Sequence, residues 1–238
     1  MLKTQTWYFL LTQANSGSFN MACDNYLLDC FVQGEILNPL LRLYSWSEET
    51  LSIGANQKKD VLNHKNNYPL VKRTSGGQSI LHEMSNNEIT YSIFLKSKKN
   101  AKDIYYEIGN IFIAYLKNYG LNASIGSSNE KYMNHFNCFE CKTPADIVVG
   151  DIKIIGSAQY RKKEYLMQHG SIKLGLIRQL SGIDLYKEKA IVDLKIVFKQ
   201  ILNIQFTDYS LSEVNYEKIN SIAIIHSDNY IKTNANQN

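Results

Sequence analysis

The stretch from Ala145 to Ser157 constrains the fold of this chain more than any other. Ala145 to Val149 and Ile152 to Ser157 are β-rich runs separated only by Gly150-Asp151. A two-residue connection with glycine first suits a type II′ turn, so the two runs are predicted to pair as an antiparallel hairpin. Further strand-like runs surround it: Leu40 to Tyr44, Thr50 to Gly54, Tyr68 to Arg73, Glu88 to Leu95 and Tyr165 to Leu174. They are rich in β-branched and aromatic residues. Helical patterns stand before, between and after these strands. Behind Ser16, the residues Ala22, Cys23, Tyr26, Leu27 and Cys30 form one apolar face. Asp103 to Asn118 reads as a helix that stops at Gly120, and Ile191 to Leu202 has an apolar face. Ser210-Leu211-Ser212-Glu213 reads as a capping box that opens a last helix. Ser124 to Asn137 shows little periodicity and reads as a loop. The expectation is an α+β fold, a mixed β-sheet covered by helices. No boundary divides the chain, so residues 1–238 are expected to form a single catalytic domain with a short polar tail from about residue 232.

Composition narrows the class. At 238 residues with 44% hydrophobic content, the chain can bury a large core without disulfide or metal staples. No apolar run reaches the roughly 18 residues of a spanning helix, so no membrane association is expected. The first residues carry no cleavage pattern of a secretory signal, and the expected compartment is the cytoplasm. The net charge of +4 is mild: it fits an acidic partner and does not call for nucleic acid. The four cysteines, Cys23, Cys30, Cys138 and Cys141, are too few for a disulfide scaffold of this length.

Three segments could carry chemistry. In Lys72-Arg73-Thr74-Ser75-Gly76-Gly77, two cations precede hydroxyls and a glycine pair that allows close backbone approach to a ligand. As a bare pattern it reads first as a strand ending in a tight turn. In His135-Phe136-Asn137-Cys138-Phe139-Glu140-Cys141, the Cys-x-x-Cys spacing admits a zinc site, a redox pair, one nucleophilic cysteine, or two buried thiols. A zinc site would want four ligands where three are at hand, so no metal is assigned. In Asp146 to Arg161, Lys153 is flanked by isoleucines. It points either to water as a solvated charge or into the covered side of the sheet, where an ammonium could hold a substrate oxygen. Gly156-Ser157-Ala158 is a run of small residues suited to close approach. His82 and His169, taken alone, are structural histidines by default.

Together and in this order, these segments resemble the superfamily of lipoate and biotin protein ligases and octanoyltransferases. The likeness runs from about Thr6 to Leu174. Trp7 and Phe19-Asn20-Met21-Ala22-x-Asp24 are similar to the opening strand and helix, and Leu41 to Trp46 with Leu51 to Gln57 to the strands that follow. Lys72-Arg73-Thr74-Ser75-Gly76-Gly77 with His82 resembles the family's acyl-binding signature, with Lys72 in place of its first arginine. Asp146 to Gln159, with Lys153, resembles the lysine segment, and Gln168-His169-Gly170-Ser171-Ile172 the strand after it. The pair Cys138-Phe139 resembles the cysteine-dependent, LipM-type octanoyltransferase branch.

The resemblance implies a biotin/lipoate protein ligase-like catalytic domain. It implies transfer of octanoyl from acyl carrier protein to a lipoyl-domain lysine, with Cys138 as nucleophile and Lys153 as its catalytic partner. Substrate would be bound by Arg73, Ser75, Gly76, Gly77, His82, Gly156, Ser157, Ala158 and His169. No cofactor is implied, only an octanoyl-cysteine intermediate. The partners would be octanoyl acyl carrier protein and lipoyl-domain acceptors such as glycine cleavage H protein or dehydrogenase E2 subunits, and the enzyme would be a monomer. Two alternatives stand beside it: an ATP-dependent lipoate-protein ligase, against which the short chain counts, and an octanoyl amidotransferase between lipoyl-domain proteins. A binder of lipoyl domains that keeps the fold without catalysis would have no use for Cys138 and Lys153.

Overall fold

The computed structural model describes residues 6–57, 68–84, 86–126 and 143–235, the last eleven by backbone alone. In chain order the elements are β1 (Thr6–Asn15), α1 (Gly17–Gln33), β2 (Leu40–Trp46), β3 (Thr50–Ile53), β4 (Leu70–Lys72), β5 (Ile80–His82), β6 (Glu88–Lys96) and α2 (Ala101–Lys117). They continue with β7 (Ala123–Ile125), β8 (Ile147–Val149), β9 (Ile152–Lys162), β10 (Tyr165–Lys173), α3 (Leu174–Ser181), α4 (Lys187–Leu202), β11 (Gln205–Asp208) and α5 (Glu213–Ala235). Among the described residues, eight strands form one mixed sheet in the order β11-β1-β2-β6-β10-β9-β8-β7, and β4-β3-β5 form a second, small sheet. The fold is therefore the expected α+β arrangement.

Strand alternation divides the large sheet into two faces. Leu41 and Leu43 of β2, with Ile89, Tyr91, Ile93 and Leu95 of β6, join α2, α3 and α4 in the larger apolar core. Leu40, Phe94 and Met167 point the other way and pack with α1 and α5, where Cys23 and Cys30 lie buried as expected. Burial pushes both thiols up to about 11, which suits inert core residues. Each fully buried aliphatic or aromatic side chain contributes roughly 1.5–3 kcal/mol, so the two-sided covering accounts for a sheet this wide. Between the cores, the α1-facing positions of β2, β6 and β10 carry polar residues instead: Arg42, Ser92 and His169 are all buried. These positions build the site.

Local signals explain the ends of several elements. Ser16 caps α1 by accepting from the Phe19 N–H at 3.3 Å, and Gly34 ends the helix at φ +79°. The β8–β9 hairpin forms with Gly150 at φ +57°, as the type II′ reading requires. The last helix starts two residues later than the sequence pattern indicates. Ser212 Oγ accepts from the Asn215 N–H at 3.2 Å and Asn215 Oδ1 from the Ser212 N–H at 2.8 Å, so the reciprocal cap uses Asn215 and not Glu213. The start of the expected loop at Ser124 is strand: Ala123–Ile125 pair with β8 at the sheet edge. Among the described residues, no helix is long and apolar enough to cross a membrane.

Candidate active site

The turn after β4 is held from inside by Arg73. Its guanidinium donates to Ser52 O (3.0 Å), Ser52 Oγ (2.8 Å), Gly76 O (3.0 Å) and Gln78 O (2.9 Å). This fixes the Gly76-Gly77 backbone, where Gly77 takes φ +95°. Ser75 is fully buried, and its Oγ lies 2.5 Å from His169 Nε2 on β10. The other ring nitrogen of His169 is 3.3 Å from Asp24 Oδ2.

Asp24 anchors a buried network beneath that histidine. It pairs with Arg42 at 2.5 Å and accepts from Ser92 Oγ (2.7 Å) and Tyr44 OH (3.2 Å). Burial alone would raise the Asp24 carboxyl. The Arg42 charge and the hydrogen bonds outweigh burial and hold it below the usual carboxylate range. A charged Asp24 can only accept, so His169 Nδ1–H donates to it, which leaves Nε2 to accept from the Ser75 hydroxyl.

His82 belongs to a parallel network. Its Nδ1 is 2.6 Å from Glu88 Oε1, its Nε2 is 2.8 Å from Ser52 Oγ, and its ring stacks on Trp46 at 3.9 Å. Glu88 also pairs with Lys173 at 2.5 Å. Burial would raise the Glu88 carboxyl, but His82 and Lys173 pull it down to about 2. Burial holds the His82 imidazole below its ordinary value, so the ring is neutral. Arg73 donates to Ser52 Oγ, Ser52 donates to His82 Nε2, and His82 donates from Nδ1 to Glu88, which orders every proton in the chain. Both histidines are thus fixed by partners on each ring nitrogen, and both also line a cavity.

Lys153 turns to the covered side of the sheet. Its ammonium pairs with Asp146 at 2.8 Å, with both side chains only 2% exposed. The other carboxylate oxygen of Asp146 accepts from the Thr143 N–H (2.7 Å) and Oγ1 (3.0 Å). Burial pushes the Asp146 carboxyl above its ordinary value against the pull of Lys153 and Thr143. Gly156 makes room for the lysine: a Cβ there would lie 2.8 Å from Lys153 Cε and 3.2 Å from its Nζ.

Two adjoining cavities lie beside this pair: Gly156, packed against Lys153, lines one, and Asp146 lines the other. A narrow, mostly apolar slot of about 20 Å³ is lined by Arg73, Gly77, His82, Gly156, Ser157, Ala158 and His169, together with Met21, Tyr44 and Trp46. A wider cavity of about 480 Å³ shares Gly77, Ser157 and Ala158 with the slot and continues to Gly76, Asp146 and Gln159. The structure therefore brings together nearly all the residues singled out from the sequence. Three are not on the slot wall, and Lys153 is one of them: it lines neither cavity and sits behind Gly156. Gly76 faces the wide cavity and not the slot, and Ser75 lines neither, because its side chain turns inward to His169. Cys138 and Cys141 lie outside the described residues. Among the described residues, no group of acidic, histidine or cysteine side chains is clustered to hold a metal.

Comparison with known proteins assigns the fold to a family. Residues 16–181 match the model of the lipoyl protein ligase A/B catalytic domain. The chain belongs to that family. It is 34% identical over 204 residues to octanoyltransferase LipM of Lysinibacillus sphaericus, covering 78% of this chain and 72% of the relative. It is 35% identical over 185 residues to octanoyltransferase LipM of Macrococcus caseolyticus, covering 71% and 66%. Among solved structures, the bipartite lipoate protein ligase of Thermoplasma acidophilum superposes with a TM-score of 0.66 over 92% of this chain and 91% of its own, at 17% identity. The structural likeness bears on the fold of this lipoyl ligase family member, and the sequence likeness on its branch.

Sequence reasoning missed the roles of five residues of the site. Asp24 and Arg42 sit within segments that resemble the family, yet nothing in their spacing marks them as partners of His169. Ser52 and Glu88 carry the His82 network from strands that read as ordinary structural runs. Asp146 opens the lysine segment, and its identity as the Lys153 counter-ion follows only from the hairpin fold.

Proposed function

We propose that this chain is an octanoyl-[acyl-carrier-protein]:protein N-octanoyltransferase of lipoate biosynthesis, acting through Cys138. The observation that carries the reading is an apolar slot that shares Gly77, Ser157 and Ala158 with the wide cavity, with Lys153 packed behind slot-lining Gly156 and its partner Asp146 lining the wide cavity. An acyl chain threaded into the slot has its carbonyl carbon at that junction. The curated relatives, each an octanoyltransferase, support the same chemistry.

In this reading the Cys138 thiolate attacks the carbonyl carbon of the donor thioester. The bond to the carrier sulfur breaks, the carrier leaves as its thiolate and takes a proton from water, and an S-octanoyl enzyme remains. The lysine amine of a lipoyl domain then attacks the same carbon, gives up a proton and releases the Cys138 thiolate, leaving an amide. Thiolate is a strong nucleophile even at small population. The Lys153 ammonium stabilises the negative charge that grows on the carbonyl oxygen in both steps. Amide formation from a thioester is downhill, so no ATP is needed. The slot holds little more than a water or two as it stands. Its walls separate to admit eight carbons, and the flexible Met21 side chain is suited to give way. Burying the chain contributes up to about 0.8 kcal/mol per CH₂.

The test is transfer from purified octanoyl carrier protein to a purified lipoyl domain, with ATP omitted. Octanoylation of the acceptor lysine under these conditions is expected. Modification that occurs only with ATP and a free acid would replace this reading with the ligase one.

A further inference from the structure

Two turns far apart in sequence meet at one corner of the molecule, beside the wide cavity. The end of β6, the turn after it and the start of α2 carry Lys96, Lys98, Lys99 and Lys102; the β9–β10 hairpin tip carries Arg161, Lys162 and Lys163. The Arg161 guanidinium fastens the two together by donating to Ser97 O (2.6 Å) and Lys99 O (2.8 Å), and the Ser97 N–H donates to Glu164 O at 2.7 Å. Residues 96–103 and 160–164 hold seven basic side chains against Asp103 and Glu164; Glu164 pairs with Lys96, while Glu107 and Asp29 from outside these segments pair with Lys99 and Lys162, so the corner stays positive. Lys96, Lys98, Lys102, Lys162 and Lys163 are exposed. The same corner runs into the wide cavity: Ala101, Lys102 and Tyr105 line it, and Gln159 of β9, which also lines it, donates to Ala101 O at 3.2 Å.

We propose that this lysine-rich corner is the docking surface for the acidic carrier that delivers the acyl thioester. The inference rests on the octanoyl-transfer reading and adds where the donor lands. A carrier seated there has its flexible arm directed along the cavity to the mouth of the slot. Lys102, which belongs to both the corner and the cavity, then faces the phosphodiester at the root of that arm. Concentrated charge of one sign beside a cavity raises the encounter rate with an oppositely charged partner and sets its orientation, and salt weakens both effects.

The test replaces Lys98 and Lys162 by Glu (K98E/K162E), two exposed side chains that line neither the slot nor the wide cavity. Transfer to a lipoyl domain is measured with octanoyl carrier protein and, separately, with octanoyl-pantetheine, which has a similar arm and no acidic protein. The expected result is a KM for the carrier about tenfold higher, with kcat, the octanoyl-pantetheine kinetics and the acceptor KM unchanged. For the unaltered chain, added salt should lower kcat/KM with the carrier and leave it level with octanoyl-pantetheine. An unchanged carrier KM, a rise in the acceptor KM alone, or equal salt effects on the two donors overturns the proposal. An unaltered chain that transfers from neither donor contradicts the octanoyl-transfer reading itself.

Discussion

Ser75 Oγ and His169 Nε2 lie 2.5 Å apart although 94 positions separate them in the chain. The contact ties the glycine turn that borders both cavities to the central strand β10, and Asp24 holds the histidine from behind. Replacing Ser75 by Ala leaves the buried His169 nitrogen without its donor, at a cost of about 1–3 kcal/mol. At roughly 2–4 °C per kcal/mol for a chain of this size, a thermal melt should fall by about 2–12 °C. Acyl transfer should drop by about tenfold, because the turn loses its anchor. Full activity with an unchanged melt would show that the contact positions nothing.

Lys153 is held by Asp146 across the face left clear by Gly156. In Lys153→Met the developing oxyanion loses its cation, so kcat should fall about 10²–10³-fold, as for loss of one oxyanion donor. Gly156→Ala is the subtler probe. The added methyl meets the flexible end of a lysine and not backbone, so the fold should tolerate it while the ammonium is displaced. Steady-state kinetics should show a lower kcat with little change in the melt. An unaltered kcat in both variants removes Lys153 from the chemistry.

Stability should fall as the medium is acidified, in two windows. Below about pH 6.5 the unfolded chain protonates its histidine, while folded His82 stays neutral because burial depresses it. The stability it contributes is thus present above that pH and is lost below it. Glu88 is held down to about 2 in the fold, against an ordinary value near 4.5. Its contribution is present above 4.5 and is lost as pH falls from there toward 2. Denaturant titrations across pH 3–7 should show both losses, and Glu88→Gln should flatten the lower window. A stability profile that is level from pH 7 to 3 contradicts this picture of the His82–Glu88 pair.

Much of this architecture was legible in the residues. Gly150-Asp151 announced its hairpin, Ser16 its helix, and the ordered segments from Arg73 to His169 the walls of a slot. What escaped reading was set by contacts distant in sequence. β11 is four residues long and exists as a strand because β1 offers it a parallel partner, with Thr6 opposite Gln205 and Phe9 opposite Asp208. No local propensity marks α3, which follows β10 without a side-chain cap. Ser75 reads as a ligand-facing hydroxyl beside a glycine pair, and only the packed strand β10 shows why it turns inward. The same holds for Arg42, whose burial depends on an aspartate 18 positions earlier.

The central claim is a covalent octanoyl-enzyme on Cys138, and intact-mass measurement after incubation with octanoyl carrier protein addresses it most directly. One octanoyl group is expected on the unaltered chain and on Cys141→Ser, and none on Cys138→Ser. An unaltered chain that transfers octanoyl without ever carrying it, or an undiminished adduct on Cys138→Ser, contradicts the account.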